Sequence, residues 1–183
     1  MKTVAAAVPD MPIFMHNNSG RQPFDLQPET FARIVGACKN VVGVKEVVDS
    51  AVRKHRDVAC SDDSSSRGDD LSFFSGSDKN FVSQFTSHGF TGLTSVAGQV
   101  FTKEMGAVVA ALRAGDAAAA EATYDLIRPG VELLAKDGAM LQSIKYVLQK
   151  RGAPAGYCCL PLSPLSAQQQ QKLDQYFGFG SDA

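Results

Sequence analysis

The stretch Asn40-Val41-Val42-Gly43-Val44-Lys45-Glu46 decides the fold. Its β-branched valines fall on both sides of an extended chain, so neither face is left for water. A strand of this kind belongs to a parallel sheet covered by helices. It ends on Lys45, and the C-terminal ends of parallel strands face the side on which α/β proteins build their sites. Among Val41, Val42 and Val44 a charged ammonium is disfavoured, which favours a free amine able to attack a carbonyl. The same residues allow a plainer reading, in which Lys45 marks the strand end and carries its head group to solvent on an apolar stem.

Upstream, an apolar run from Pro12 to Met15 passes into turn residues Asn17 to Gly20, and a helix opens at Pro28 with Glu29 in its first turn. Phe31, Ile34, Val35 and Cys38 recur there at helical spacing. Downstream, a helix is expected from about Asp49 to Ala59. The polar stretch 60–70, with Ser64 to Ser66 and Asp62, Asp63, Asp69 and Asp70, reads as a low-complexity surface loop. Two more strand-helix pairs follow: Leu71 to Ser75 with Asp78 to His88, and Gly92 to Ala97 with Thr102 to Ala114. The segment 116–183 is a C-terminal helical part. It is helical from Asp116 to Gly152 with breaks at Pro129-Gly130 and at Gly138, then turn-rich from Ala153 to Ser166, and closes on a helix ending near Phe177. The glutamines Gln168 to Gln171 read as an exposed face of that last helix.

Four strand-helix units define an α/β fold with a parallel sheet. Periodicity leaves two architectures open: a flavodoxin-like sheet, complete in four or five strands, or half of an eight-stranded barrel, which needs about 250 residues when whole. The 183 residues, 44% of them apolar, suffice for a single domain.

A formal charge of -1, from 18 basic and 19 acidic residues, offers no footprint for nucleic acid or an acidic membrane. No run approaches the roughly 20 apolar residues of a membrane span, and Pro9, Asp10 and Pro12 interrupt the only signal-peptide-like start. A soluble, cytoplasmic protein is expected. Cys38, Cys60, Cys158 and Cys159 form no C-x-x-C pair, so reduced thiols are expected rather than a zinc site or disulfide framework, and Cys158 and Cys159 are expected to be packed rather than reactive. His16, His55 and His88 have no metal-ligand spacing, and phosphate-binding and dinucleotide-binding glycine motifs are absent. No cofactor and no metal are expected.

The order of motifs resembles the dihydrodipicolinate synthase / N-acetylneuraminate lyase family. His16-Asn17-Asn18-Ser19-Gly20-Arg21, with Asp25-Leu26 and Pro28-Glu29-Thr30, is similar to that family's Tyr-Asn-x-Pro-x-Arg-Thr-Gly loop and following helix. Asn40 to Glu46 matches the strand that bears its Schiff-base lysine. Ser75-Gly76-Ser77-Asp78 resembles its Ser-Gly-Asp-Asp turn, and Gly89 with Gly92-Leu93-Thr94-Ser95-Val96 resembles its Gly-x-x-Gly-x-Ile-Ser-Val strand. Leu160-Pro161-Leu162-Ser163-Pro164-Leu165 is similar to its Arg-x-Pro-Leu-x-Pro-Leu segment.

The resemblance implies a partial TIM (β/α)8 barrel, strands five to eight plus C-terminal helices, as a single domain over 1–183. Strands one to four are absent, and with them the Thr-Thr pair that holds pyruvate's carboxylate in the family. It implies a class I aldolase or lyase acting on pyruvate or a pyruvate-derived 2-oxo acid together with an aldehyde. Lys45 is then the Schiff-base nucleophile. His16 stands where the family has its proton-shuttling tyrosine, and an imidazole can also relay a proton near neutral pH; a hydrogen-bonded packing histidine is the other reading. Arg21 matches the arginine that grips a substrate carboxylate, a task suited to a guanidinium fork, or else is a solvated loop residue. Thr94 falls where the family offers a backbone carbonyl to the keto acid. Gly76 lets backbone approach the pocket, although a tight turn would also select it, and Asn17 joins the substrate-binding positions. Half a barrel leaves strand edges open, which implies a homo-oligomer or self-association. An inactive fragment or paralogue serving as a structural or interaction protein is the alternative.

Overall fold

The computed structural model describes residues 1–47, 55, 57–58 and 70–180. The expected helix from Asp49 to Ala59 lies outside these residues, except that His55, Asp57 and Val58 are helical; the expected loop 60–70 lies outside them apart from Asp70. The chain divides into two compact units, Met1–Thr94 and Ser95–Ala183.

The first unit alternates strands and helices as expected. After helix α1 (Lys2–Ala7) come β1 (Ile13–Asn17), α2 (Pro28–Ala37), β2 (Val41–Glu46), β3 (Ser72–Ser75), α3 (Phe81–His88) and β4 (Gly92–Leu93). The four strands form one sheet in the order β1-β2-β3-β4, each pair parallel. Sequential parallel neighbours joined by helices are the arrangement that right-handed crossovers produce. Pro28 opens α2 because its missing N–H is one the first helical turn would leave unpaired in any case. The helix then buries Phe31 and Val35, which meet Val41, Val44, Leu71, Phe73 and Phe90 in one core cluster. Asn40, in the turn before β2, sends its side-chain amide to the carbonyls of Ala5 (3.1 Å), Val8 (2.8 Å) and Met11 (3.3 Å).

Strand β4 is shorter than the expected run to Ala97. The Ser95 hydroxyl accepts from the Gly98 amide at 2.6 Å, which turns the chain into a single 3-10 turn at Ala97–Gln99. A serine side chain offers the backbone an alternative to the ladder, and here it ends the strand.

The second unit, after that turn, consists of α4 (Thr102–Arg113), α5 (Ala117–Leu134), a 3-10 turn at Lys136–Gly138, α6 (Met140–Lys150) and α7 (Ala167–Phe177). The expected break at Pro129-Gly130 does not occur: α5 runs through both residues. Interior proline costs about 3 kcal/mol. Tyr124, Ile127, Val131 and Leu134 are buried along one stripe of α5, at about 1.5–3 kcal/mol for each large apolar side chain, and this outweighs the proline, which sits on the exposed side. The break at Gly138 is present, with Asp137 at φ 56° and Gly138 at φ 71°.

Gly130 is glycine for a steric reason. A Cβ there would fall 2.5 Å from Phe101 Cζ and 2.8 Å from the Tyr176 ring. Gly130→Ala is therefore expected to lose about 1–3 kcal/mol by overpacking, despite alanine's better helix propensity, measured by the urea midpoint.

Helix α7 begins with a reciprocal cap. Ser166 Oγ accepts from the Gln169 amide, and Gln169 Oε1 accepts from the Ser166 amide at 2.9 Å. The glutamine run is thus not simply an exposed face: Gln169 closes the cap, and Gln170 donates to the Leu165 carbonyl. Removing the hydroxyl in Ser166→Ala should cost about 1 kcal/mol, readable as a lowered denaturation midpoint. Further along, the Tyr146 hydroxyl donates to Asp174 at 2.8 Å, and Lys150 lies 3.4 Å from the same carboxylate, tying α6 to α7. Burial and the bond to Asp174 push the Tyr146 phenol up from its ordinary value. The expectation of packed cysteines fails for Cys159, which is exposed in the turn-rich segment before α7; Cys158 is half-buried, and Cys38 is buried.

Candidate active site

Because β1 to β4 are parallel neighbours, their C-terminal ends lie side by side. The register pairs His16 with Lys45, Lys45 with Phe74, and Phe74 with Gly92. Side chains alternate across a strand, so these residues share one face of the sheet. Phe14 joins them there, its ring 4.9 Å from that of Phe74. Phe14 remains 41% exposed, so this face is open within the described chain. The opposite face carries Met15, Val44 and Phe73 into the core under the helices.

Lys45 is half-buried at the end of β2, with its stem across Gly76: a Cβ on residue 76 would meet Lys45 Cε at 2.8 Å and Val47 Cγ2 at 2.9 Å. Glycine at 76 is therefore what lets the lysine side chain lie along the strand ends. The Gly76 amide donates to the Glu46 carbonyl at 2.8 Å, and the Thr94 amide to the Ser75 carbonyl at 2.8 Å, which sets both residues at adjacent strand ends. His16 is exposed beside Lys45 on β1. Arg21 is exposed in the turn after β1, where the amides of Arg21 and Gln22 both donate to the Asn18 carbonyl, at 2.9 and 3.0 Å.

Asn17 occupies a different place from the one expected of a substrate contact. It follows Met15 by two residues, so it faces the core, and it is fully buried. Its Nδ2 donates to Glu46 Oε2 and to Asp25 Oδ1, each at 2.7 Å, and its Oδ1 accepts from the Leu26 amide at 3.0 Å. Those bonds use both amide hydrogens, so the side chain secures the loop after β1 instead of meeting a ligand.

Three polar residues on this buried side were not expected: Glu46, Ser75 and Gln84, all fully buried. For the first two the signal was available in strand parity, since Glu46 alternates with the core residue Val44 and Ser75 with Phe73, whereas Gln84 lies on α3. His55 proves to be a packing residue, fully buried, edge-on to Phe31 at 5.1 Å and bonded to the Leu26 carbonyl. Among the described residues no cluster of three or more histidine, cysteine or acidic side chains could hold a metal ion, and no helix is long and apolar enough to cross a membrane.

At the level of class, a parallel sheet with a lysine at one strand end and a histidine beside it defines an α/β protein with a candidate amine-nucleophile site. More particularly, the chain belongs to the dihydrodipicolinate synthetase family, whose sequence model matches residues 1–177. It is 32% identical over 169 residues to the 4-hydroxy-tetrahydrodipicolinate synthase of Shewanella pealeana, a match covering 91% of this chain and 54% of that protein. Among solved structures, the 4-hydroxy-tetrahydrodipicolinate synthase of Methylacidiphilum fumariolicum superposes with a TM-score of 0.82 at 26% identity, over 97% of this chain and 56% of that one. The dihydrodipicolinate synthase of Aquifex aeolicus superposes with a TM-score of 0.83 at 23% identity, over 97% and 57% respectively. The chain spans about half the length of the curated relatives it matches.

Proposed function

We propose that this chain carries the Schiff-base half of a class I aldolase or lyase, laid out as strands five to eight and the C-terminal helices of a (β/α)8 barrel. The observation that supports it is the pairing of Lys45 with His16 across β1 and β2, on the sheet face away from the helices. In this reading Lys45 Nζ attacks the ketone of pyruvate or a related 2-oxo acid and water is lost. The resulting imine accepts the electron pair released when a proton leaves the adjacent carbon, or when the carbon-carbon bond to an aldehyde partner breaks. His16 moves protons at that centre. Arg21 holds a carboxylate of the partner substrate, Thr94 presents its main-chain carbonyl to the keto acid, and Gly76 keeps the approach to Lys45 clear. Asn17 serves by position, holding the loop that carries Arg21. The relatives' synthase names and the family membership support the 2-oxo acid and aldehyde as substrate classes.

Incubation with pyruvate and borohydride tests this reading. The expected product is a peptide containing Lys45 that has gained one pyruvic acid less one oxygen atom. Labelling confined to other lysines, or none in a folded sample, would overturn it.

The sheet's edge strands β1 and β4, with exposed Phe14 on the open face, favour closure by a second polypeptide, and a homo-oligomer is the form proposed for this chain in the cytoplasm. Light scattering after size exclusion checks this, a monomeric mass counting against it.

A further inference from the structure

Three of the proposed site residues at the sheet's end stand one residue away from a buried polar side chain on the opposite face. His16 precedes Asn17, Lys45 precedes Glu46, and Gly76 follows Ser75. The buried members are joined to one another or to the neighbouring strand. Asn17 donates to Glu46 Oε2 at 2.7 Å, which links β1 to β2, and the other carboxylate oxygen, Glu46 Oε1, accepts from the Val47 amide at 2.7 Å. Ser75, the register partner of Glu46, is hydrogen-bonded through its hydroxyl to the side chain of Gln84, and Gln84 Nε2 donates to the Val47 carbonyl at 3.5 Å, bringing β3 to β2. A carboxylate costs several kcal/mol to bury unless its lone pairs are met. A leucine in place of Glu46 would serve the core with less desolvation, so a fully buried glutamate here is explained by what it holds.

We propose that Glu46 is a positioning residue for Lys45: its buried carboxylate, bonded to Asn17, locks the ends of β1 and β2 so that His16 and the lysine amine face one another on the other side of the sheet. This rests on the Schiff-base reading above. Backbone displacement at one strand end moves both adjacent side chains, and a misplacement of about 1 Å at a reacting group can cost on the order of 100-fold in rate.

The test measures the rate of borohydride trapping of pyruvate on Lys45 at saturating and at limiting pyruvate, with urea denaturation in parallel. The proteins are the unaltered chain, Glu46→Gln, Asn17→Asp, and the double variant Asn17→Asp/Glu46→Gln. The double variant exchanges donor and acceptor: its new amide on β2 can donate to its new carboxylate on β1, that carboxylate still accepts from the Leu26 amide, and exposed Asp25 can turn to water. Each single variant is expected to slow trapping at saturating pyruvate by about 10- to 100-fold with little change in the half-saturating concentration, and the double variant to recover most of the rate. Single variants that are folded and trap at the unaltered rate, or that lose rate only in proportion to the unfolded fraction, would overturn the proposal. If the singles do not fold, the double variant decides alone: folded and fast supports positioning, folded and slow refutes it. Absence of any Lys45 adduct in the unaltered chain sinks the Schiff-base reading itself, and the positioning role with it, before a variant is made.

Discussion

Lys45→Ala is expected to reduce pyruvate-dependent borohydride labelling to the background of the surface lysines, with the chain still folded. The imine requires a primary amine, and alanine supplies none. Lys45→Arg should fail as completely, because a guanidinium stays protonated at any working pH and cannot act as the nucleophile. The fold should survive both changes, since the head group of Lys45 carries none of the core packing that Val44 and Phe73 provide. Peptide mapping after reduction reads the first outcome and the urea midpoint the second. A variant that labels at the unaltered rate would move the chemistry to a different lysine.

Phe73→Ala is expected to be the most damaging single change to the first unit. Phe73 is fully buried at the middle of β3, with its ring 6.1 Å from that of Phe31 on α2 and its backbone paired with Val44 on β2. Deleting a buried phenyl ring costs about 3–5 kcal/mol through lost transfer energy and the cavity left behind. Against a total of about 5–15 kcal/mol for an ordinary domain, that is a large share of the stability. Urea denaturation followed by circular dichroism should show the midpoint falling steeply, or no cooperative transition remaining. A shift below about 1 kcal/mol would mean that the β2-β3-α2 core collapses around the gap.

The strand that ends on Lys45 was legible because its valines speak for burial on both faces, and its position then follows from how parallel sheets present their ends. The order of strands and helices in the first unit was legible for the same reason, since short apolar runs give way to helical spacing at Pro28 and again after Ser75. Other features depend on tertiary balance. Pro129 reads locally as a breaker, and only the buried stripe from Tyr124 to Leu134 shows that packing prevails. Gly92 to Ala97 reads as a strand, and only the Ser95 hydroxyl's reach to Gly98 shows where it stops. Asn17 and His16 both read as site residues from a shared loop motif, yet neighbouring residues on a strand point to opposite faces. Parity counted from Met15 separates them, and parity counted from Val44 exposes Glu46 as a charge at a core position.

The three carbonyls gathered by Asn40 bear on how α1 and the turn after it open. An amide has two hydrogens for those three acceptors, and their shared hold comes from a residue well removed in sequence. In hydrogen exchange α1 should therefore open together with the turn around Asn40, as one segment distinct from the slower-exchanging strands.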